Sequence, residues 1–102
     1  MIIVRHVFHI KFGKAKEAIA IWKEIMEAAK TSNLNSPEMR LLSDLSGDAY
    51  TLVMELHLKS FLDLNPSQVI WATTPAFQEL YEKFKPLCDS GAKEYYKIEC
   101  II

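Results

Sequence analysis

The three histidines of this sequence are the side chains best suited to move a proton near neutral pH. His6 lies in a row with Val4 and Phe8, because every second residue of this segment points to the same side of a strand. Burial in such a row disfavours the imidazolium, lowers the pKa of the ring and leaves a neutral proton acceptor. If the protein is an enzyme, we predict that His6 is the general base. The alternative is a buried histidine satisfied by one hydrogen bond, with no chemical role.

His9, Glu55 and His57 form a second group, which alternation places on the opposite face of the sheet from His6. Two imidazoles and a carboxylate could move protons or hold a divalent cation, so His9 is the second candidate for catalysis. No ligand motif such as a helical His-x-x-x-His accompanies them, and no metal site is predicted. The alternative is structural ion pairing with basic neighbours. Those neighbours are Arg5, Lys11 and Lys97.

Aromatic side chains are the candidates for a pocket that takes a small apolar or aromatic compound. Aromatics at helical spacing are more typical of a core than of a pocket. Trp71 is the strongest candidate, because it adjoins a helical region interrupted by prolines, which leaves side-chain space unfilled. The complete set of predicted substrate-pocket residues is Trp22, Glu55, His57, Trp71, Phe77 and Tyr81.

The composition is that of one globular domain of 102 residues, of which half are hydrophobic. Lys and Arg number 12 against 13 Asp and Glu, so the basic excess typical of nucleic-acid-binding proteins is missing. No run of about 18 apolar residues predicts a membrane span. The first residues lack the order of a signal peptide, and we expect a soluble, cytoplasmic protein.

Motifs for cofactors or nucleophilic catalysis are missing from the sequence. It contains no Gly-rich phosphate loop, nucleophile elbow or haem motif, so no cofactor is predicted. Two cysteines are too few for a disulfide framework, and Cys88 and Cys100 are interpreted as structural thiols.

Hydrophobic patterning predicts strands over residues 2–12, 39–45, 50–59 and 93–102, and a first helix over 14–31. The second helical region is predicted as three pieces, from 61, over 66–72 and over 75–85. Its two breaks follow from Asn65-Pro66 and Thr74-Pro75, each a capping residue before a proline. The order β-α-β-β-α-β indicates a ferredoxin-like α+β sandwich, with an antiparallel sheet in the order 4-1-3-2 and helices on one face.

The open face of this sheet is expected to be half apolar, which favours a partner. The simplest partner is a second copy related by a two-fold axis, so we predict a homodimer. The apolar residues assigned to this face are Ile3, Val7, Leu42, Val53, Tyr95 and Ile101. Alternation in the last strand places the opposite row beneath the helices; this row is Tyr96, Ile98, Cys100 and Ile102.

Three segments resemble the dimeric α/β barrel superfamily, and the resemblance covers essentially the whole chain. Residues 4–12, VRHVFHIKF, are similar to the opening strand of stress-responsive A/B barrel proteins, and residues 50–60, YTLVMELHLKS, to their third strand. Residues 74–81, TPAFQELY, closed by FKPL at 84–87, resemble the NIPSNAP and antibiotic-biosynthesis monooxygenase branches. The resemblance implies a homodimer in which two sheets form a shared barrel.

Members of this superfamily include cofactor-free monooxygenases, a polyketide cyclase, isomerases, dehalogenase-like enzymes, haem-degrading proteins and many with no known activity. His6 falls where the family has a first-strand histidine. The cyclase branch has a His-Pro-Ala-His run where this chain has Thr74-Pro75-Ala76-Phe77, so its helix histidines are replaced. This replacement argues against the chemistry of the cyclase branch in this protein.

Two principal functions therefore stay open. The first is a cofactor-free enzyme of monooxygenase, cyclase or isomerase type that acts on a small apolar or aromatic compound. It requires an enclosed cavity of at least ~300 Å³ with a histidine at its wall. The alternative is a non-catalytic small-molecule-binding or structural homodimer, in which His6 and His9 are packed and satisfied. A regulatory small-molecule sensor is a third possibility, because fold alone does not decide function.

Overall fold

Four strands and two helices make up the part of the chain that the computed structural model describes, residues 1–32, 37–47, 49–60 and 75–102. The strands are β1 (Ile2–Ile10), β2 (Glu38–Ser43), β3 (Thr51–Leu58) and β4 (Cys88–Lys97). The helices are α1 (Ala15–Ser32) and α2 (Pro75–Phe84), and a 3₁₀ turn (Lys85–Leu87) joins α2 to β4. All strand pairs are antiparallel in the order β2-β3-β1-β4, which confirms the predicted ferredoxin-like sheet. The helical pieces predicted from 61 and over 66–72 lie outside the described residues.

Helix α1 forms where small and large apolar residues recur at spacings of three and four. Ala18, Trp22, Ile25 and Ala29 are buried along one side of it. Gly13, with a φ of 80°, turns the chain between β1 and this helix, a conformation that favours glycine. No helix among the described residues is long and apolar enough to cross a membrane.

The core lies between this helix pair and one face of the sheet. Phe8, on the central strand β1, is its aromatic centre. The Phe8 ring stacks on Trp22 at 5.5 Å between centroids and meets Phe84 of α2 edge-on at 4.9 Å. Aromatic pairs in these geometries add to the stability that their buried area provides. These contacts hold both helices against β1.

Strand β4 occupies residues Cys88–Lys97 and not the predicted 93–102. Gly91, which lies between the predicted helix and the predicted strand, is a strand residue paired with Phe8. A Cβ atom at Gly91 would lie 3.1 Å from Phe8 Cδ1, so only glycine lets the strand pass this ring without displacing it. The prediction failed because this glycine serves a close packing contact and not a turn.

The pairing of β4 with β1 also reverses the predicted faces of β4. Tyr95 pairs with Val4 and lies on the helix side, whereas Tyr96 pairs with Ile3 and lies on the open face. A shift of one residue in register moves every side chain of a strand to the other face. The predicted positions of Tyr95, Tyr96 and Cys100 are therefore wrong. Cys100, Ile101 and Ile102 lie beyond β4 and are exposed.

The third strand begins at Thr51, one residue after its predicted start. Tyr50 has a φ of 60°, which is rare for a residue other than glycine and is incompatible with a strand. Its carbonyl accepts a hydrogen bond of 2.8 Å from the Ile10 N–H. This bond ties the β2–β3 turn to the end of β1.

Replacement of Leu56 by alanine should lower the free energy of unfolding by about 2–5 kcal/mol, because it opens a cavity in a close-packed core. Leu56 is 6% exposed, whereas Leu45, in the β2–β3 turn, is fully exposed and provides a matched control. Leu45→Ala should cost less than about 0.5 kcal/mol. Urea unfolding of both variants measures the difference, and equal losses would contradict the assignment of the sheet faces.

Candidate functional site

His6 lies in the middle of β1, on the face that packs against the helices. It pairs with Met54 of β3 on one side and with Lys93 of β4 on the other. Its ring meets Phe8 edge-on at 5.9 Å. Neither ring nitrogen has a hydrogen-bond partner within the part of the chain that the structure describes. His6 is therefore partly buried, and its ring nitrogens are not among the buried atoms that lack a partner.

A cleft of about 400 Å³ opens beside His6, between β1, β4 and the end of α2. Phe8, Tyr81 and Phe84 form its aromatic wall, and Lys93 lies next to His6 on its polar side. The volume exceeds the ~300 Å³ typical of the smallest ligand pockets. Among the described residues the cleft is open on one side and not the enclosed cavity expected for an enzyme.

The surroundings of His6 favour the neutral imidazole. Burial lowers the pKa of His6, and the nearby Lys93 ammonium lowers it further. A neutral imidazole has one nitrogen with a free lone pair, which can accept a proton from a molecule in the cleft. The position and charge of His6 therefore fit the general base expected from the sequence.

Lys85 and Cys88 border the same cleft but have local partners. The Lys85 ammonium donates a hydrogen bond of 2.8 Å to Glu82, which raises the pKa of Lys85, and it lies over the Tyr81 ring. The Cys88 thiol donates a hydrogen bond of 3.0 Å to the Ser90 carbonyl, and burial raises the pKa of Cys88. A protonated, hydrogen-bonded thiol is a poor nucleophile, in agreement with its structural interpretation.

The predicted aromatic pocket residues occupy three different places. Tyr81 lines the cleft, and Phe77 stacks on it at 5.5 Å. Trp22 is 2% exposed and lies in the core behind Phe8; its buried indole N–H has no hydrogen-bond partner among the described residues. Trp71 lies outside the described residues.

Glu55 and His57 belong to an ion-pair network on the open face. His57 Nε2 lies 3.1 Å from Glu55 Oε1, and Arg5 Nε lies 3.4 Å from Glu55 Oε2. Arg5 Nη1 lies 3.8 Å from Glu94 Oε1, and the guanidinium lies over Tyr96 at 5.7 Å. Arg5 Nε is buried and its contact with Glu55 lacks hydrogen-bond geometry, so this pair is an ionic contact only. These contacts match the structural ion pairing considered from the sequence.

His9 is not brought together with Glu55 and His57. His9 pairs with Thr51 and His57 with Ile3, so the two histidines lie at opposite ends of the β1–β3 pair. Six residues of strand separate these ends by about 20 Å. His9 borders instead a separate depression of about 460 Å³ on the open face. The described residues contain no group of three potential metal ligands.

Lys93 is the residue of this site that sequence reasoning overlooked. Its place beside His6 depends on the register between β1 and β4. The predicted strand began at residue 93 and gave this lysine no role. The signal that could have revealed it is Gly91, if interpreted as a strand residue next to a large aromatic side chain.

The fold is shared with solved structures that have few identical residues. An uncharacterised NIPSNAP domain protein from Burkholderia xenovorans matches with a TM-score of 0.82 and 14% identity, over 100% of this chain and 98% of that one. A NIPSNAP family protein of unknown function from Agrobacterium tumefaciens matches with a TM-score of 0.79 and 15% identity, over 96% of this chain and 87% of that one. A putative antibiotic biosynthesis monooxygenase from Deinococcus radiodurans matches with a TM-score of 0.69 and 13% identity, over 100% of this chain and 96% of that one.

These similarities confirm the ferredoxin-like fold and its likeness to the NIPSNAP and antibiotic-biosynthesis monooxygenase branches expected from the sequence. No protein-family model matches the chain, and no curated protein matches it by sequence. The likeness is therefore one of fold, and the chemistry has to be argued from the site.

His6 should make the protein less stable as the pH falls below 6.5, the ordinary pKa of histidine. Its pKa is lowered in the folded chain, so the unfolded chain takes up the proton first, and protonation then favours unfolding. The free energy of unfolding that depends on neutral His6 is fully present above the pKa of His6 in the unfolded chain. It is lost as the pH falls through the lower pKa of His6 in the folded chain. Denaturant unfolding from about pH 8 to about pH 5 should show a shallower decline for His6→Gln than for the wild type. Equal slopes for the two proteins would contradict the lowered pKa.

Proposed function

We propose that the protein is an enzyme that binds a compact aromatic molecule in the cleft and removes a proton from it with His6. The observation that carries the proposal is a neutral imidazole, without a hydrogen-bond partner among the described residues, in a cleft that has one aromatic wall. A ligand group can therefore hydrogen-bond to this imidazole without breaking a contact within the described part of the protein.

The aromatic wall indicates the class of molecule. Tyr81 is partly exposed at this wall, whereas Phe8 and Phe84 are buried and pack on each other at 4.9 Å between centroids. A flat ring placed against the wall can gain offset or edge-on contacts of the same kind. The volume of about 400 Å³ suits one small ring system with short substituents.

The reaction supported by the site is the abstraction of a proton from carbon or oxygen. General-base catalysis requires a neutral base within hydrogen-bond reach of the proton and a pKa near or below the working pH. The lowered pKa of His6 meets the second condition, and a molecule bound against Phe8 would place its proton next to the imidazole, because the two rings meet at 5.9 Å. The structural neighbours include a putative antibiotic biosynthesis monooxygenase, which supports small-molecule chemistry on this fold.

Phenylacetone, a compact aromatic ketone, tests this proposal through exchange of its α-protons with deuterium in heavy water. The wild type should accelerate the exchange, followed by proton NMR, and His6→Gln should lower the enzyme-catalysed rate by about 100-fold, since general bases contribute about that much. The matched control is His9→Gln, because His9 lies on the other face of the sheet and should leave the rate unchanged.

The outcomes separate the two functions that the sequence left open. Exchange that survives His6→Gln, or no exchange above the buffer rate, would overturn the enzymatic proposal. In the second case, a saturable shift of the His6 ring signals on titration with 4-nitrotoluene would favour the non-catalytic, small-molecule-binding alternative.

We further propose that two copies of the chain pack through the open sheet face. Both described helices pack on the other face. The open face presents Ile3, Val7, Leu42 and Val53 around the ion-pair network, a mixture typical of protein interfaces. A stable dimer would bury more than roughly 800 Å² of each copy.

Val7→Glu should convert the protein from dimer to monomer, because it places an unpaired charge in the middle of this interface. Ala20→Glu is the matched control, since Ala20 is exposed on α1, away from the open face. Light scattering at micromolar concentration measures the mass. A wild type with the mass of a monomer would refute the dimer.

A further inference from the structure

We propose that the molecule bound in the cleft becomes an anion when it loses its proton, and that the Lys93 ammonium stabilises this anion beside His6. The substrate class is then a weak aromatic acid, such as a phenol or an enolisable ketone. This inference rests on the proposed function, because it names the substrate class of the same cleft. It adds Lys93 as a residue that contacts the reacting group.

The strand register places Lys93 next to His6. The two residues are direct partners in the β1–β4 pair, so their side chains leave the sheet on the same face. Directly opposed residues of antiparallel strands have Cβ atoms about 5 Å apart. Both side chains line the cleft, and the charge of Lys93 acts on His6.

Lys93 has a free positive charge. It forms no ion pair with any carboxylate among the described residues. The other cation of the cleft, Lys85, is held by Glu82 at 2.8 Å. Asp89 borders the cleft on the same strand, but four residues of strand separate it from Lys93 by about 13 Å. The Lys93 charge is therefore available to a ligand.

The charge balance of the proton transfer selects an anion. When the neutral His6 ring takes a proton from a neutral acid, the products are an imidazolium and the conjugate base of that acid. Without a negative charge between them, the imidazolium and the Lys93 ammonium would repel each other. An oxyanion between the two cations makes both contacts attractive. Without a ligand, the charge of Lys93 disfavours protonation of His6. Once the anion lies between them, it attracts both cations, and protonation of His6 becomes favourable.

Two probes of similar size and different charge test this inference. At a pH above the ionisation of 4-nitrophenol, His6 is neutral, and the wild type should bind 4-nitrophenolate about tenfold more tightly than 4-nitrotoluene, because only the phenolate pairs with Lys93. Lys93→Gln should abolish the preference, and Lys93→Arg should keep it. The control is Lys97→Gln, on the same face of the same strand but paired with Ile2.

The kinetic readout separates binding from stabilisation of the anion. Lys93→Gln should lower kcat for phenylacetone exchange about tenfold and leave KM nearly unchanged, since the enolate exists only after proton transfer. NMR titration of the same variant should show a higher pKa of His6 than in the wild type. An unchanged His6 pKa would contradict the placement of Lys93.

The results distinguish this inference from the proposed function. Equal affinity of the wild type for 4-nitrophenolate and 4-nitrotoluene, with exchange of phenylacetone intact, would overturn the role of Lys93 alone. Failure of both probes to bind would overturn the proposed function and this inference together. A preference for the phenolate that persists in Lys93→Gln would assign the anion contact to another residue and refute the inference.

Discussion

The close approach of Gly91 to the Phe8 ring is the contact on which the rest of the structure depends. It lets β4 run beside β1 while Phe8 keeps its stack on Trp22 and its edge contact with Phe84. The same missing side chain leaves room between β4 and α2, and that room is part of the cleft. A larger residue at this position would fill the cleft or displace the ring, at a cost typical of overpacked cores. One packing contact therefore sets both the core and the site.

His6 is a polar residue in a row whose neighbours, Val4 and Phe8, are buried in the core. An apolar residue at this position would bury more hydrophobic surface under the helices and remove the repulsion from Lys93. Natural proteins break such local rules chiefly at functional sites. The ion-pair network around Arg5 on the other face differs in kind, because each of its charges has a partner within 4 Å.

The two faces of the sheet consequently have different roles. The helix face holds the core and, at its edge, an aromatic cleft with an unpartnered imidazole. The open face combines apolar side chains with paired charges, as expected of a surface that packs against another surface. His9 and His57, which resemble His6 in the sequence, lie on this second face, six residues of strand apart. Residue type alone could not have distinguished these three histidines.

The sequence by itself determined the element order, the sheet order and the two faces of β1 and β3, because the charged residues of each strand fall in one row and the larger share of apolar residues in the other. It also placed His6 on the helix side and Glu55 beside His57. Strand β4 carries no such alternation, since small and charged residues occupy its first half. Its start and register were decided only by pairing with β1 and by the fit of Gly91 against Phe8, a contact between residues far apart in the chain. For the same physical reason the neighbour of His6, Lys93, became known only from the tertiary structure.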